Sequence, residues 1–158
     1  MSLRLVPLAA DVDVDALSRA LAPGFGGEEE EAREILAQTV ALLTREPRPD
    51  PWGSYLSHEG ETPVGLCAFK WAPDGQGTVE IAYMTFPAFE GRRHATAMVA
   101  ALLRIAQGEG ARLVVAHTLR EENASNRALK RNGFAFAGVV DDPEDGLVWR
   151  WEREAHAP

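Results

Sequence analysis

The sequence predicts a single α/β domain of the α+β kind, with a mixed, mostly antiparallel sheet of about seven strands flanked by about four helices. Three observations carry this. Apolar runs of strand length and stretches of helical spacing follow the order β-α-α-β-β-β-α-β-α-β-β. The three strands in the middle follow one another across short turns, as in a meander. The unit over residues 78–118, a strand, a loop, a helix and a strand, has the form of a nucleotide-binding crossover. At 158 residues the chain suits one domain, 1–158, long enough to bury a core.

Each element has a local reason. Leu3 to Leu8 reads as the first strand, stopped at Asp11. Val14 to Leu21 is a short helix, ended by Pro23-Gly24. A second helix opens within Gly26-Gly27-Glu28-Glu29-Glu30-Glu31, where carboxylates meet the positive end of the helix dipole. Ala32, Ile35, Leu36, Thr39, Val40 and Leu43 form its apolar face, and the proline-rich segment 46–51 ends it. Trp52 to Ser57 and Val64 to Lys70 make a hairpin around residues 58–63, and Thr78 to Phe86 completes the meander. From Arg93 to Glu109 the period turns helical, with Met98, Val99, Leu102, Leu103 and Ala106 on one face. Leu113 to Thr118 suits a central strand covered on both faces. Ala124 to Arg131 is a helix closed by Asn132-Gly133. Phe134 to Val140 and Leu147 to Arg153 form the last hairpin.

The formal net charge of −8 argues against nucleic acid as a partner, because phosphate contacts need basic patches. It is compatible with a cationic amine or basic peptide, and equally with simple solubility. No apolar run approaches the roughly 20 residues of a membrane span, and no signal-peptide pattern opens the chain. The expectation is therefore no membrane and a cytoplasmic location. Cys67, the only cysteine, excludes an internal disulfide and any multi-cysteine metal site, and no metal is expected. It sits in an apolar strand, as a buried inert thiol does.

Against that charge, the basic run in Phe89-Glu90-Gly91-Arg92-Arg93-His94-Ala95-Thr96 stands out. It joins a strand to a helix, whose first turn carries unpartnered N–H groups. Gly91, Ala95 and Thr96 let a ligand approach the backbone, while Arg92, Arg93 and His94 add positive or hydrogen-bonding groups. The run is either a pyrophosphate cradle or a charged turn. It is neither a P-loop nor G-x-G-x-x-G.

A second stretch, residues 113–134, reads LVVAHTLREENASNRALKRNGF. Ala116-His117-Thr118, Glu122-Asn123-Ala124-Ser125, Leu129-Lys130-Arg131-Asn132-Gly133-Phe134 and Gly146-Leu147-Val148-Trp149 resemble the GNAT superfamily of N-acetyltransferases. They look most like its ribosomal-protein N-terminal acetyltransferase branch. The resemblance implies acetyl-CoA as cosubstrate and transfer of its acetyl group to a primary amine, either a protein N-terminus or a small molecule. The alternative is an acyl-CoA binding or sensing domain without turnover. Homodimers are common in the family.

The resemblance also implies roles. The loop Glu90-Gly91-Arg92-Arg93-His94-Ala95 matches the family's Q/R-x-x-G-x-G/A pyrophosphate loop, with an acid first and Arg93 in place of the middle glycine. An Arg93 already in the ordinary helical region needs no glycine-like freedom and pairs with a phosphate. Backbone near Met84, Thr85 and Phe86 is the candidate grip on the pantetheine arm and the polariser of the thioester carbonyl. Arg131 joins the coenzyme contacts. Asn123 either meets the pantetheine arm in a shifted loop or caps its helix. Many relatives place a tyrosine acid where this chain has Leu129. Glu80 is the favoured base, facing the same way as Ala82 and Met84, and otherwise a salt-bridged strand carboxylate. His117 is its rival, or a structural hydrogen-bonder. Ser125 stands as the acid near the thiolate, or as a helix cap.

Overall fold

The structure, a computed structural model, describes residues 3–156, so the two residues at each end of the expected domain lie outside it. Seven strands and four helices follow in the expected order. They are β1 (Arg4–Pro7), α1 (Val14–Leu21), α2 (Glu29–Arg45), β2 (Ser54–Glu59), β3 (Thr62–Phe69), β4 (Thr78–Thr85), α3 (His94–Gly108), β5 (Leu113–Thr118), α4 (Ala124–Arg131), β6 (Ala135–Asp142) and β7 (Gly146–Glu154). One sheet runs β1-β2-β3-β4-β5-β7-β6. The β4–β5 pair is its parallel ladder, and the other ladders are antiparallel.

Both hairpin turns are tighter than the sequence suggests. β2 and β3 extend to pair Glu59 with Thr62, because Gly60 at φ 61° closes the turn in the left-handed region. β6 and β7 extend to pair Asp142 with Gly146. There the Asp142 carboxylate accepts the N–H groups of Glu144 at 2.8 Å and Asp145 at 3.0 Å, a side-chain substitute for ladder bonds.

The sheet carries a core on each face. On one, Met98, Val99 and Leu102 of α3 are fully buried over Val79 and Ile81 of β4 and Val114 of β5. Each such side chain contributes about 1.5–3 kcal/mol of transfer free energy. On the other, Leu21 of α1 and Leu36 of α2 close over Leu56, Leu66 and Phe86, with Phe25 and Phe86 in ring contact at 4.9 Å. Glutamates 29 to 31 occupy the first turn of α2 as expected, and Arg33 ties Glu30 to Asp15 of α1. Cys67 is buried, and burial pushes its thiol up to about 12 against a weaker opposing hydrogen bond with Ser57, so it carries no thiolate near neutrality. This two-core sheet matters for the site because it holds β4 rigidly at its centre, with a different chemistry on each side.

Candidate active site

The site begins where the sheet comes apart. β4 and β5 pair from Thr78 and Leu113 to Ile81 and Ala116. β4 then runs four residues further, to Thr85, and β5 runs on to Thr118, without a shared ladder among the described residues. The end of β5 is held by β7 instead, with His117 opposite Arg150 and Thr118 opposite Trp149. The direction of the backbone groups along β4 follows from its other neighbour. Lys70 donates to the Glu80 carbonyl at 2.8 Å and Phe86 donates to the Val64 carbonyl at 2.8 Å, so the even-numbered residues spend their N–H and C=O on β3. Tyr83 and Thr85 therefore turn theirs into the gap. Of the backbone expected to grip the pantetheine arm, Thr85 turns its groups into the gap together with Tyr83, while the amides of Met84 and Phe86 are committed to β3. Phe86 is fully buried in the second core and lines no cavity at the gap.

Beyond β4 the chain makes a short 3-10 turn, Pro87–Phe89, and reaches α3 through Gly91 at φ 80° and Arg93 at φ 62°, ψ 23°. This corrects the expectation for Arg93, which is not in the ordinary helical region. The backbone keeps the left-handed turn a glycine would make, and the arginine bears it. A side chain at Gly91 would meet no atom within 4 Å, so the space above the loop is open to a ligand. The N–H groups of His94, Ala95 and Thr96 are in the first turn of α3, where they lack helical acceptors, and these residues with Gly91 and Arg93 line a cavity of about 510 Å³. Glu90 is on the same rim, and Arg127 and Arg131 of α4 form the facing wall. Arg92 does not line it; its guanidinium sits 5.8 Å over the Phe89 ring. His94 is buried with its Nε2 3.5 Å from a Glu59 carboxylate oxygen, and burial is the main reason its pKa falls below the usual value.

The far wall is the start of α4. Asn123 caps that helix, accepting the Asn126 N–H at 3.0 Å and its Nδ2 at 2.8 Å. The cap continues inward: Thr118 Oγ1 donates to Asn126 Oδ1 at 2.9 Å and accepts from Trp151 Nε1 at 3.0 Å. This buried polar chain pins α4 to β5 and β7, and Asn123 lies outside the cavity lining. Leu129 is fully buried in the core. Ser125 lines the cavity, and its Oγ lies 2.9 Å from Tyr83 Oη. Burial pushes the Tyr83 phenol up to about 12, with the Ser125 hydrogen bond working the other way.

Glu80 and His117 lie on the opposite face of the sheet. Glu80 is 3% exposed, with its carboxylate 3.1 Å from Lys70 Nζ and 3.3 Å from His117 Nδ1; His117 is in turn 3.8 Å from Asp142. The two rival base candidates are thus neighbours. Burial alone would lower the Lys70 pKa, but the charge and hydrogen bond of Glu80, aided by Asp142 and Glu144, outweigh it and raise the ammonium's pKa. The group opens into a second cavity, of about 610 Å³, whose mouth carries Trp71, Asp74, Asp141, Asp142 and Glu144. A smaller apolar cavity of about 240 Å³ shares Leu42 and Lys70 with this one and Tyr83 and Met84 with the first. The sheet beside β4 thus has a basic cavity with orphan amides on one face and an acidic one with a buried carboxylate on the other.

Tyr83, Arg127, Lys70, Trp71 and Asp142 were not anticipated. Strand alternation could have flagged Tyr83 as facing away from Glu80, but not what it meets. Among the described residues there is no His, Cys, Asp and Glu cluster able to hold a metal, and no helix long and apolar enough to cross a membrane.

A split β4–β5 pair with a helix N-terminus at its mouth is the arrangement that the resemblance to coenzyme A–dependent acetyltransferases implies. The first cavity fits that coenzyme: amides and arginines for phosphates, and a gap with unspent backbone groups for an extended arm. The model of the acetyltransferase (GNAT) domain matches residues 2–135, and the chain belongs to this family, the acetyl-CoA-dependent N-acetyltransferases that transfer an acetyl group to an amine. No curated protein matches its sequence. Among solved structures it is similar to an acetyltransferase from Salmonella typhimurium that modifies the N-terminal serine of ribosomal protein L7/L12 (20% identity, 98% of this chain and 95% of that one, TM-score 0.69). It is also similar to a spermidine N-acetyltransferase chimera from Vibrio cholerae and hSSAT (14%, 98% and 96%, 0.74). An aminoglycoside acetyltransferase in complex with coenzyme A is a third (17%, 97% and 95%, 0.71). These likenesses are likenesses of fold, and they span three different acceptors.

Proposed function

We propose that this protein acetylates a primary amine that enters through the acidic cavity, with Glu80 and His117 acting as one base. The observation that carries this reading is the placement of the buried Glu80–His117 pair at the foot of the β4–β5 gap, on the face opposite the coenzyme cavity. The amine must lose a proton to attack, and a buried carboxylate 3.3 Å from an imidazole nitrogen offers that proton an acceptor. An α-amine at about 7.7–8.0 asks less of such a base than a lysine amine at about 10.4, so a protein N-terminus or a small amine of similar basicity suits it better. The acids at the mouth favour an acceptor with further positive charge. On the other face, Gly91, Ala95 and Thr96 supply backbone amides to the pyrophosphate, and Arg93 and Arg131 supply charge. The Thr85 amide polarises the thioester carbonyl, and Ser125 faces the departing sulfur. Residence in the cytoplasm belongs to this reading. So does a homodimer, for which the exposed Phe136, Val139 and Leu147 of β6 and β7 offer a surface.

The test pairs two readouts. Glu80→Gln should leave the acetyl-CoA Kd, measured by calorimetry, within about twofold, and should lower kcat on a panel of unblocked peptides and spermidine by about 10²–10⁴. Unchanged turnover would remove Glu80 from the chemistry. Binding with no turnover by the wild type would leave an acyl-CoA sensor.

A further inference from the structure

The side chain of the tyrosine on β4 has a contact of its own. Tyr83 rises from β4 on the face away from Glu80, and its hydroxyl reaches the first turn of α4. There Oη lies 2.9 Å from Ser125 Oγ and 3.1 Å from the Ser125 main-chain carbonyl oxygen. The carbonyl can only accept, while either hydroxyl can donate. Two arrangements therefore satisfy the same atoms. In one, Tyr83 donates to the carbonyl and Ser125 donates to Tyr83. In the other, Tyr83 donates to Ser125 Oγ, and the serine proton is free to point into the coenzyme cavity that both residues line. Only two hydroxyl rotations separate them. Tyr83 is also one of the two residues whose backbone groups face the gap, so its position is set by the sheet and not by a loop.

We propose that Tyr83 is a positioning residue for acetyl transfer: by moving its hydrogen bond from the carbonyl to the Oγ of Ser125, it turns the serine O–H toward the sulfur as the thioester breaks. The inference rests on the acetyl-transfer reading above. In the step, the amine nitrogen bonds to the carbonyl carbon, the C–S bond breaks, and its electron pair stays on sulfur. The surplus proton of the nitrogen leaves toward Glu80 and His117. The thiolate accepts a hydrogen bond from Ser125 and takes its proton from water on release. The phenol does not itself surrender a proton. At about 12 it is a weaker acid than a thiol near 8.5 by a factor on the order of 10³, so it acts by orientation.

The experiment is a double-mutant cycle of Tyr83→Phe and Ser125→Ala, with two acetyl donors. Tyr83→Phe keeps the ring that packs against the core, and thermal unfolding checks that it folds. With acetyl-CoA it should lower kcat about 10- to 100-fold, as loss of a hydrogen bond feeding a charged atom does, and leave the acetyl-CoA Kd within about twofold. In the Ser125→Ala background the same change should cost less than about twofold. The loss should shrink with S-acetyl-4-nitrothiophenol, whose leaving thiolate needs little stabilisation; a purely structural role would not follow the leaving group. An undiminished loss in the Ser125→Ala background, an equal loss with both donors, or full activity of Tyr83→Phe would overturn the proposal while leaving the acetyl-transfer reading intact. If the wild type binds acetyl-CoA but acetylates nothing in the panel, the acetyl-transfer reading fails and this inference falls with it.

Discussion

Arg93 holds the most informative backbone angle in the molecule. A left-handed conformation costs a residue with a Cβ about 1–2 kcal/mol, and strain of this kind persists where the side chain is needed. Here the residue lines the first cavity, the one proposed to hold the coenzyme. Arg93→Gly should therefore raise stability by up to about 1 kcal/mol, once the added chain entropy of glycine is set against the relieved strain. It should also weaken acetyl-CoA binding about tenfold through loss of a charge-assisted contact. Arg93→Ala should lose the affinity with no gain in stability. Thermal unfolding and calorimetric titration of the three proteins separate the two effects, and a glycine variant binding as tightly as wild type would remove the arginine from the cradle. The sequence exposed the unusual residue at this place. Its backbone angle was hidden, because φ there is set by how the chain must bend from the turn after β4 into α3.

At the scale of elements, α4 shows what local chemistry can and cannot encode. Its bounds, Ala124 to Arg131, agree with the sequence reading, because an asparagine before the helix and Asn132-Gly133 after it are start and stop signals within a few residues. The cap is also the outer end of the polar chain through Asn126 and Thr118 to Trp151. Asn123→Ala should cost about 1–2 kcal/mol in urea unfolding, the upper part of the range for a cap, since it strips a partner from buried Asn126 as well. A loss of a few tenths would mean the cap is replaced by solvent. The contact of Ser125 with Tyr83, across 42 residues, had no such signal.

At the scale of the whole molecule, the sheet is held together against a gap, and His94 is one of the joints. It is the first residue of α3, is buried, and reaches Glu59 at the end of β2. Burial lowers its pKa first; Glu59 pulls it back up and Arg92 pushes it down further. Between the ordinary value of about 6.5 and the lower folded one, the unfolded chain binds more protons than the folded chain, so stability rises with pH. The contribution is complete above about pH 7 and is lost as pH falls through that window. The Tm should be flat from pH 7 to 8 and decline below about 6.5, and His94→Gln should flatten the decline. An identical acid limb in the variant would place the titrating group elsewhere. A further loss at lower pH is expected from Asp74 and Asp142, whose carboxyls turn N–H groups hold below the usual carboxylate range.

The sequence by itself determined the order of strands and helices, the apolar faces that make two cores, and the small residues and arginines that open α3. These are written in spacings of two to four residues, and each segment obeys them without knowing its neighbours. Tertiary structure alone decided that β5 leaves β4 after Ala116 to follow β7. It also decided that Glu80 meets His117 on one face, that Tyr83 meets Ser125 on the other, and that Arg93 turns left-handed between them. Such meetings depend on strand order and register, which long-range packing sets and no local pattern carries.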